Sequence, residues 1–179
     1  MRPLADARRV ERFLEALGRA ARSPARVYLT GGATAVLESW RDATVDVDLK
    51  LIPDADEILR AIPRLKEEIG INVELAAPDQ FIPELPGWRE RSRFIRQVGQ
   101  VSFFHYDFYA QALAKLERGH DKDLRDAGEM LRSGRIEPDE LLRLFAEIEP
   151  RLYLYPAIDP ATFRRSVEDF IGRPPAGFR

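Results

Sequence analysis

Two aspartates in the first third of the chain have the spacing of metal ligands. Asp46 and Asp48 alternate with hydrophobic residues, as in a half-buried strand; these are Val45, Val47 and Leu49. The two carboxylates therefore extend from the same side of the strand, about 6–7 Å apart. Oxygen ligands at this separation suit one or two Mg²⁺ ions, because the ions of two-metal sites lie about 3.5–4 Å apart.

A pair of glycines precedes the aspartates. Gly31 and Gly32 stand between a short apolar run and a helix-like segment, and thirteen residues separate them from Asp46. Glycine lets the backbone approach a ligand closely, and N–H groups at the start of a helix favour phosphate. Together the two motifs predict a phosphoryl- or nucleotidyl-transfer site that binds a triphosphate. Each motif alone is also typical of an ordinary turn or of a solvated strand face.

These motifs need a sheet and helices to position them. The chain around them is predicted to form a strand over 26–30, a helix over 32–40 and a strand over 44–52. Amphipathic helices are predicted on either side, over 5–21 and 55–69, the second capped by Gly70.

Further elements follow along the chain. A strand is predicted over 71–75, an irregular loop over 77–92, and a hairpin of strands 93–98 and 101–106. Helices are then predicted over 108–118, 121–131, 139–148 and 161–171, followed by a loose tail. The fold class is therefore α/β (α+β), with a small mixed sheet flanked by helices and a helical C-terminal part.

The central motif resembles a known superfamily. The order Gly31-Gly32, then Asp46-x-Asp48, resembles the minimal nucleotidyltransferases, whose relatives include DNA polymerase β. Gly-Gly-Ala-Thr-Ala followed by Arg41-x-x-Thr44-x-Asp46-x-Asp48 is similar to the branch that contains AbiEii-type abortive-infection toxins. The resemblance covers roughly residues 25–130 and implies the nucleotidyltransferase fold.

The resemblance also implies a third carboxylate on a neighbouring strand. Glu74 holds that position, since Ile71, Val73 and Leu75 form the apolar side of its strand. Catalysis and Mg²⁺ binding are then expected from Asp46, Asp48 and Glu74. The family usually has Asp at the third position, and a solvent-facing strand residue is the alternative interpretation of Glu74.

Five residues are predicted to bind the nucleotide: Gly31, Gly32, Arg41, Thr44 and Lys115. A plain salt bridge is the alternative for Arg41, and support of the strand is the alternative for Thr44.

Lys115 belongs to a segment that resembles the lysine-bearing helix of AbiEii-type proteins. The resemblance implies that Lys115 reaches the nucleotide phosphates, and that Asp123 and Asp126 hold the helix against the active-site strands. Ordinary surface pairs along a helix are the alternative for these three residues.

A second cluster, in the loop and hairpin, combines arginines with aromatic rings: Trp88, Arg89, Arg91, Arg93, Phe94 and Arg96. It is interpreted either as a contact for RNA or as a solvated face with one ring in the core.

Composition excludes several other classes of protein. The chain has 179 residues, a net charge of −2 and no cysteine, so disulfides and thiolate chemistry are excluded. No apolar run approaches the length of a membrane span, and the first residues lack the apolar core of a signal peptide, so a cytoplasmic protein is expected. Neither His105 nor His120 has a partner pattern typical of a ligand, and both are interpreted as structural.

The sequence thus predicts a nucleotidyltransferase-like core over residues 1–132, with a helical extension over 133–179 packed on it. The expected activity is Mg²⁺-dependent transfer of an NMP from an NTP to a hydroxyl of RNA, such as tRNA, or of a protein. By resemblance, the protein is expected to be the toxin of a toxin–antitoxin or abortive-infection system. The expected partner is a cognate antitoxin or toxin protein. The alternative is a catalytically silent binding module of the same fold that acts in a protein pair.

Overall fold

A computed structural model describes residues 4–172 of the chain, which divides into two compact units. The first unit comprises the chain up to Ala77 together with Ser92–Tyr106, and the second comprises Pro78–Arg91 and the chain from Asp107 onward. This grouping differs from the predicted division after residue 132. Arg91 bonds to Asp107, and the Tyr155 hydroxyl donates to the Asp79 carbonyl, so the predicted loop belongs with the helices that follow.

The first unit is a sheet with helices, whose elements in chain order are β1 (Ala5–Asp6), α1 (Ala7–Ala20), β2 (Ala25–Thr30), α2 (Gly31–Leu37), β3 (Ala43–Thr44), β4 (Asp46–Ile52), α3 (Asp56–Ile69), β5 (Asn72–Leu75), β6 (Arg93–Val98) and β7 (Val101–His105). Strands β1 and β3 form a small antiparallel ladder. The larger sheet has the order β5-β4-β2-β7-β6. Strand β2 is antiparallel to β4 and parallel to β7, β5 is parallel to β4, and β6 and β7 form the predicted hairpin. The mixed sheet is confirmed.

One hydrophobic cluster joins this sheet to its helices. It combines Val27 and Leu29 of β2 with Val47 and Leu49 of β4, and adds the apolar sides of α1 and α3. Helix α1 begins where the Asp6 carboxylate accepts a hydrogen bond from the Arg9 N–H at 2.8 Å. Helix α3 ends at Gly70, whose φ of 67° and bond to the Lys66 carbonyl form the predicted cap. The opposite face of the sheet carries polar and aromatic side chains.

The second unit is helical in the part of the chain described. Its helices are α4 (Trp88–Arg91), α5 (Phe108–Arg118), α6 (Asp121–Arg132), α7 (Pro138–Ile148) and α8 (Pro160–Gly172), with 3₁₀ turns at Pro78–Gln80 and Glu149–Leu154. The predicted helical C-terminal part is therefore confirmed. Asp107 caps α5, since its Oδ1 accepts a hydrogen bond from the Tyr109 N–H at 3.1 Å. The predicted tail after residue 172 lies outside the described residues. No helix within the described chain is long and apolar enough to cross a membrane.

Two local predictions are corrected by the structure. Helix α2 ends at Leu37 rather than at residue 40, because Ser39 turns the chain with a φ of 62°. Val45 is 60% exposed instead of sharing the buried side of β4. It lies between β3 and β4, where the chain passes from the small ladder to the large sheet, so the strand alternation does not extend to it.

Candidate active site

Strand β4 presents the two aspartates on the face opposite the hydrophobic cluster. Val47, Leu49 and Leu51 are buried, whereas Asp46 and Asp48 are half-buried. This is the alternation expected of a strand with one face on the core. The two carboxylates are therefore presented side by side and remain partly accessible to water and ligand.

Asp46 is held by a residue that the sequence analysis did not single out. The Asn72 amide donates a short hydrogen bond from Nδ2 to Asp46 Oδ1, and the two residues are partners in the parallel pairing of β4 with β5. The bond fixes one carboxylate oxygen and leaves the other oxygen for a ligand. Its position in the sequence could have indicated this role, because Asn72 precedes Glu74 by two residues and so lies on the same face of β5.

Asp48 lies against the first glycine of the turn. Thr30, at the end of β2, is the register partner of Asp48, so Gly31 begins α2 directly beside the carboxylate. Gly31 has a φ of 60°, and a Cβ atom there would lie 2.8 Å from Asp48 Oδ2. The positive φ therefore favours glycine, and a larger residue would displace the Asp48 carboxylate. The turn and the carboxylate predicted to act together are in contact.

The second glycine lies against Thr44. A Cβ at Gly32 would lie 2.0 Å from Thr44 Oγ1 and 2.8 Å from Thr44 Cβ. The Thr44 hydroxyl donates a hydrogen bond to the Asp46 carbonyl at 3.0 Å, and Thr44 is buried. Thr44 thus links the glycine turn to the start of β4. Of its two interpretations, nucleotide binding and support of the strand, these contacts favour support of the strand.

Replacing Gly32 by Ala is expected to destabilise the protein by about 1–3 kcal/mol, because the new methyl group overpacks against Thr44. Thermal unfolding followed by circular dichroism measures the effect. Gly172→Ala is the matched control, since nothing lies within 4 Å of a Cβ there. Adding Thr44→Ala, which removes the nearest atom, should restore part of the loss. Equal melting temperatures for Gly32→Ala and the unaltered chain would show that the turn is not tightly packed.

Glu74 lies on the neighbouring strand at the level of Asp48. The two residues are register partners in β4 and β5, and Glu74 is exposed. Within residues 4–172, no three His, Cys, Asp or Glu side chains are grouped as a metal site. Mg²⁺, however, is commonly held by one or two carboxylates together with substrate phosphates. The donor set of Asp46 and Asp48 therefore suits Mg²⁺ when phosphate oxygens complete the coordination.

The two predicted cationic contacts lie in different settings. Arg41 follows the turn after α2, where its backbone N–H donates to the Ala35 carbonyl at 3.2 Å and its side chain is half-buried. Lys115 is a residue of α5 in the second unit, and its side chain is buried. Its ammonium nitrogen lies 2.6 Å from Asp126 Oδ2 and 3.4 Å from Asp123 Oδ1.

Asp123 and Asp126 join α6 to α5. Besides Lys115, Arg118 contacts Asp123, with its Nη2 atom 2.8 Å from Oδ1. The resemblance implied that these aspartates hold the helix against the active-site strands, whereas the bonds found for them here run to side chains of α5. They are buried, so the interpretation as ordinary surface pairs is wrong.

A further ion pair in the second unit involves the N-cap of α5. Arg91 donates from Nε and Nη2 to Asp107 Oδ2, at 3.1 and 2.7 Å. Burial raises the pKa of the Asp107 carboxyl, while the hydrogen bond and charge of Arg91 lower it. Trp88 is buried and Phe94 exposed, so one ring of the Arg-rich cluster lies in the core. The cluster itself is divided between the two units.

His105 anchors the helix that carries the glycine turn. Its Nδ1 lies 3.1 Å from Thr34 Oγ1 and its Nε2 lies 3.3 Å from Glu38 Oε1, and the ring is buried. Thr34 belongs to α2 and Glu38 follows it, so β7 and α2 are tied together. These contacts agree with the structural interpretation of His105, although its partners were not predicted because they lie far from it in sequence.

Comparison with known proteins identifies the family at the level of fold and general activity. Residues 7–171 match the family described as "nucleotidyltransferase of unknown function (DUF6036)". No curated protein matches the chain, and no solved structure matches it. These findings support the nucleotidyltransferase superfamily and do not confirm the AbiEii-type branch. Because the match extends over most of its length, the chain belongs to the DUF6036 family of nucleotidyltransferases.

Proposed function

We propose that the protein transfers a nucleoside monophosphate from an NTP to a hydroxyl group in a Mg²⁺-dependent reaction at Asp46 and Asp48. The observation that carries the proposal is the closeness of the glycine turn to the Asp48 carboxylate, since a Cβ at Gly31 would lie 2.8 Å from Asp48 Oδ2. Backbone that approaches phosphate and carboxylates that take a cation are the two parts that a nucleotidyl-transfer site requires. Here they are adjacent.

The binding step uses the chain's own groups in a simple arrangement. Asp46 and Asp48 would hold the cation, and the backbone at Gly31 and Gly32 would face the β- and γ-phosphates. Helix α2 has only seven residues, so local N–H groups rather than a long helix dipole make this contact. Arg41, which follows α2 and is half-buried, contributes positive charge for the triphosphate. Thr44 and Asn72 hold β4 and Asp46 in place for the incoming triphosphate.

In the transfer step, the acceptor hydroxyl oxygen attacks the α-phosphorus in line. The bond from the α-phosphorus to the bridging oxygen breaks, and pyrophosphate leaves. Bound Mg²⁺ would neutralise phosphate charge and lower the pKa of the attacking hydroxyl. Glu74, beside Asp48 on the next strand, accepts the proton of that hydroxyl. In this role Glu74, the third carboxylate, acts as a general base and need not bind the metal.

The acceptor and the biological role extend the proposal further. By resemblance the acceptor is an RNA end such as that of tRNA, or a protein side chain, and the protein is the toxin of a toxin–antitoxin or abortive-infection pair. A cognate partner protein then controls its activity.

The first test is incubation of the purified chain with each α-³²P-labelled NTP, Mg²⁺ and total tRNA. Label on RNA, dependent on Mg²⁺ and absent for the Asp46→Asn/Asp48→Asn variant, is the expected result and names the nucleotide. Label on protein would keep the transfer proposal and change the acceptor. Transfer that is equal in the double variant would place the active site elsewhere.

A catalytically silent binding module is the second candidate. It is favoured by the exposure of Glu74, the candidate third carboxylate, and by the net charge of −2. Such a module would bind Mg²⁺-NTP without transferring label to RNA or protein. Isothermal titration of NTP with and without Mg²⁺, in parallel with the transfer assay, separates the two candidates.

A further inference from the structure

A row of aromatic rings crosses three strands of the large sheet. Phe94 of β6 and Phe104 of β7 are register partners, with ring centroids 5.6 Å apart. Phe104 and Tyr28 of β2 are also partners, and their rings are stacked with centroids 5.2 Å apart. Sequence reasoning associated Phe94 with the arginines near it in the chain. The sheet instead places it beside rings that are remote in sequence.

This row lies on the same face of the sheet as the carboxylates. Thr30 is the register partner of Asp48, and Tyr28 precedes Thr30 by two residues, so Tyr28 and Asp48 extend from one face. Phe104 and Phe94 continue that face toward the sheet edge. The face opposite carries the hydrophobic cluster with α1 and α3, so the aromatic row is not part of that core.

The outer end of the row is accessible and positively charged. Phe94 is 55% exposed and Phe104 is half-buried. Arg26 is exposed, and its guanidinium carbon lies 5.9 Å from the centre of the Phe104 ring. Aromatic rings on a sheet, with a cation beside them, are the features that stack bases and contact phosphates of a single strand.

The distance between the rings and Asp48 determines how far from the terminus of a bound strand a stacked nucleotide would lie. Neighbouring strands lie about 4.8 Å apart and alternate residues about 6.6 Å apart, so Phe104 is about 12 Å from Asp48 across the sheet. A base stacked there therefore belongs to a nucleotide one or two positions from a terminus whose hydroxyl reaches the carboxylates.

We propose that Arg26, Phe94 and Phe104 form a platform for the 3′ end of a single-stranded nucleic acid, which is the acceptor. The inference rests on the proposed nucleotidyl transfer and names its acceptor class. Bases stack on the two phenylalanine rings, and Arg26 contacts the backbone phosphate. The terminal hydroxyl is thereby directed along the sheet face toward Asp46 and Asp48.

The test is fluorescence anisotropy of short fluorescein-labelled single-stranded RNA and DNA with the unaltered chain, without NTP. Phe94→Ala is expected to weaken binding by roughly 5- to 100-fold, the effect of losing one base stack. Arg26→Ala is expected to reduce the slope of log affinity against log salt by about 0.7, the effect of losing one phosphate contact. Phe81→Ala and Arg60→Ala are matched controls at exposed positions of the same residue types.

The outcomes separate the platform from the proposed reaction. Loss of affinity in Phe94→Ala and Arg26→Ala, with the controls unchanged, supports the platform. Whichever probe binds more tightly, RNA or DNA, then identifies the class of acceptor. Equal affinity in all variants overturns the platform. If ³²P label is transferred to a protein and neither oligonucleotide binds, the platform fails while nucleotidyl transfer stands. If an oligonucleotide binds at these residues but no label is transferred to any acceptor, the reaction fails instead.

Discussion

Replacing Asp48 by Asn is expected to lower the rate of nucleotidyl transfer by about 10³-fold while the protein remains folded. The substitution keeps the shape of the side chain beside Gly31 and removes the negative charge. Losing a cation ligand costs several kcal/mol of transition-state stabilisation, and about 4 kcal/mol corresponds to this factor. The measurement is kcat with the NTP and acceptor identified by the labelling experiment, together with a thermal melt of the variant.

The neighbouring aspartate makes a less simple variant. Asp46 Oδ1 accepts a hydrogen bond from Asn72, so Asp46→Asn changes a bond within the sheet as well as the charge. Asp48→Asn leaves the bond between Asn72 and Asp46 in place. Asp56→Asn is the matched control, because Asp56 is an exposed residue of α3 and pairs only with Arg60 among the contacts described for it. Its effect on turnover is expected to be less than twofold.

Two results would contradict the assignment of the site. Turnover of Asp48→Asn within a few-fold of the unaltered chain would remove this carboxylate from the reaction. A large loss of melting temperature in the same variant would show that the carboxylate serves folding, and the lost activity would then carry no information on chemistry. A raised Mg²⁺ requirement in Asp48→Asn, with normal melting, is the signature expected of a cation ligand.

Local patterns were sufficient to predict most of the elements and the placement of the two aspartates on one strand face. The period-two alternation along β4 depends only on burial of one strand face, and it placed Asp46 and Asp48 together on the other face. Gly31 could be predicted to lie in a close turn, because few residues other than glycine adopt its φ of 60°. The caps at Gly70 and Asp107 follow from equally local chemistry.

The remaining features depend on pairings between distant parts of the chain. Nothing near Asn72 in sequence indicates that it bonds to Asp46, because that contact requires the parallel register of β4 with β5. The aromatic row likewise exists only once β2, β7 and β6 are neighbours in that order. Strand order and register arise from the packing of the whole sheet, so periodicity alone does not determine them.

Lys115 is the residue for which resemblance and structure imply different roles. The resemblance implies a phosphate contact, whereas the structure buries its ammonium between Asp123 and Asp126. Lys115→Met is expected to lower the free energy of unfolding by about 3–5 kcal/mol, because the buried Asp126 carboxylate loses the ammonium 2.6 Å away, while Asp123 keeps its contact with Arg118. For a protein of this length the melting temperature should fall by about 10 °C. Lys122→Met, at an exposed position on α6, is the matched control.

A double variant distinguishes the two roles of this lysine. Lys115→Met combined with Asp126→Leu replaces the 2.6 Å ion pair by apolar groups, which is often close to neutral for stability. Recovery of both stability and turnover in the double variant would show that Lys115 acts by joining α5 to α6. Recovery of stability with a persistently raised KM for the NTP would assign Lys115 to the nucleotide as well. A Lys115→Met variant that melts normally would contradict the buried ion pair, and its KM would then measure the phosphate contact directly.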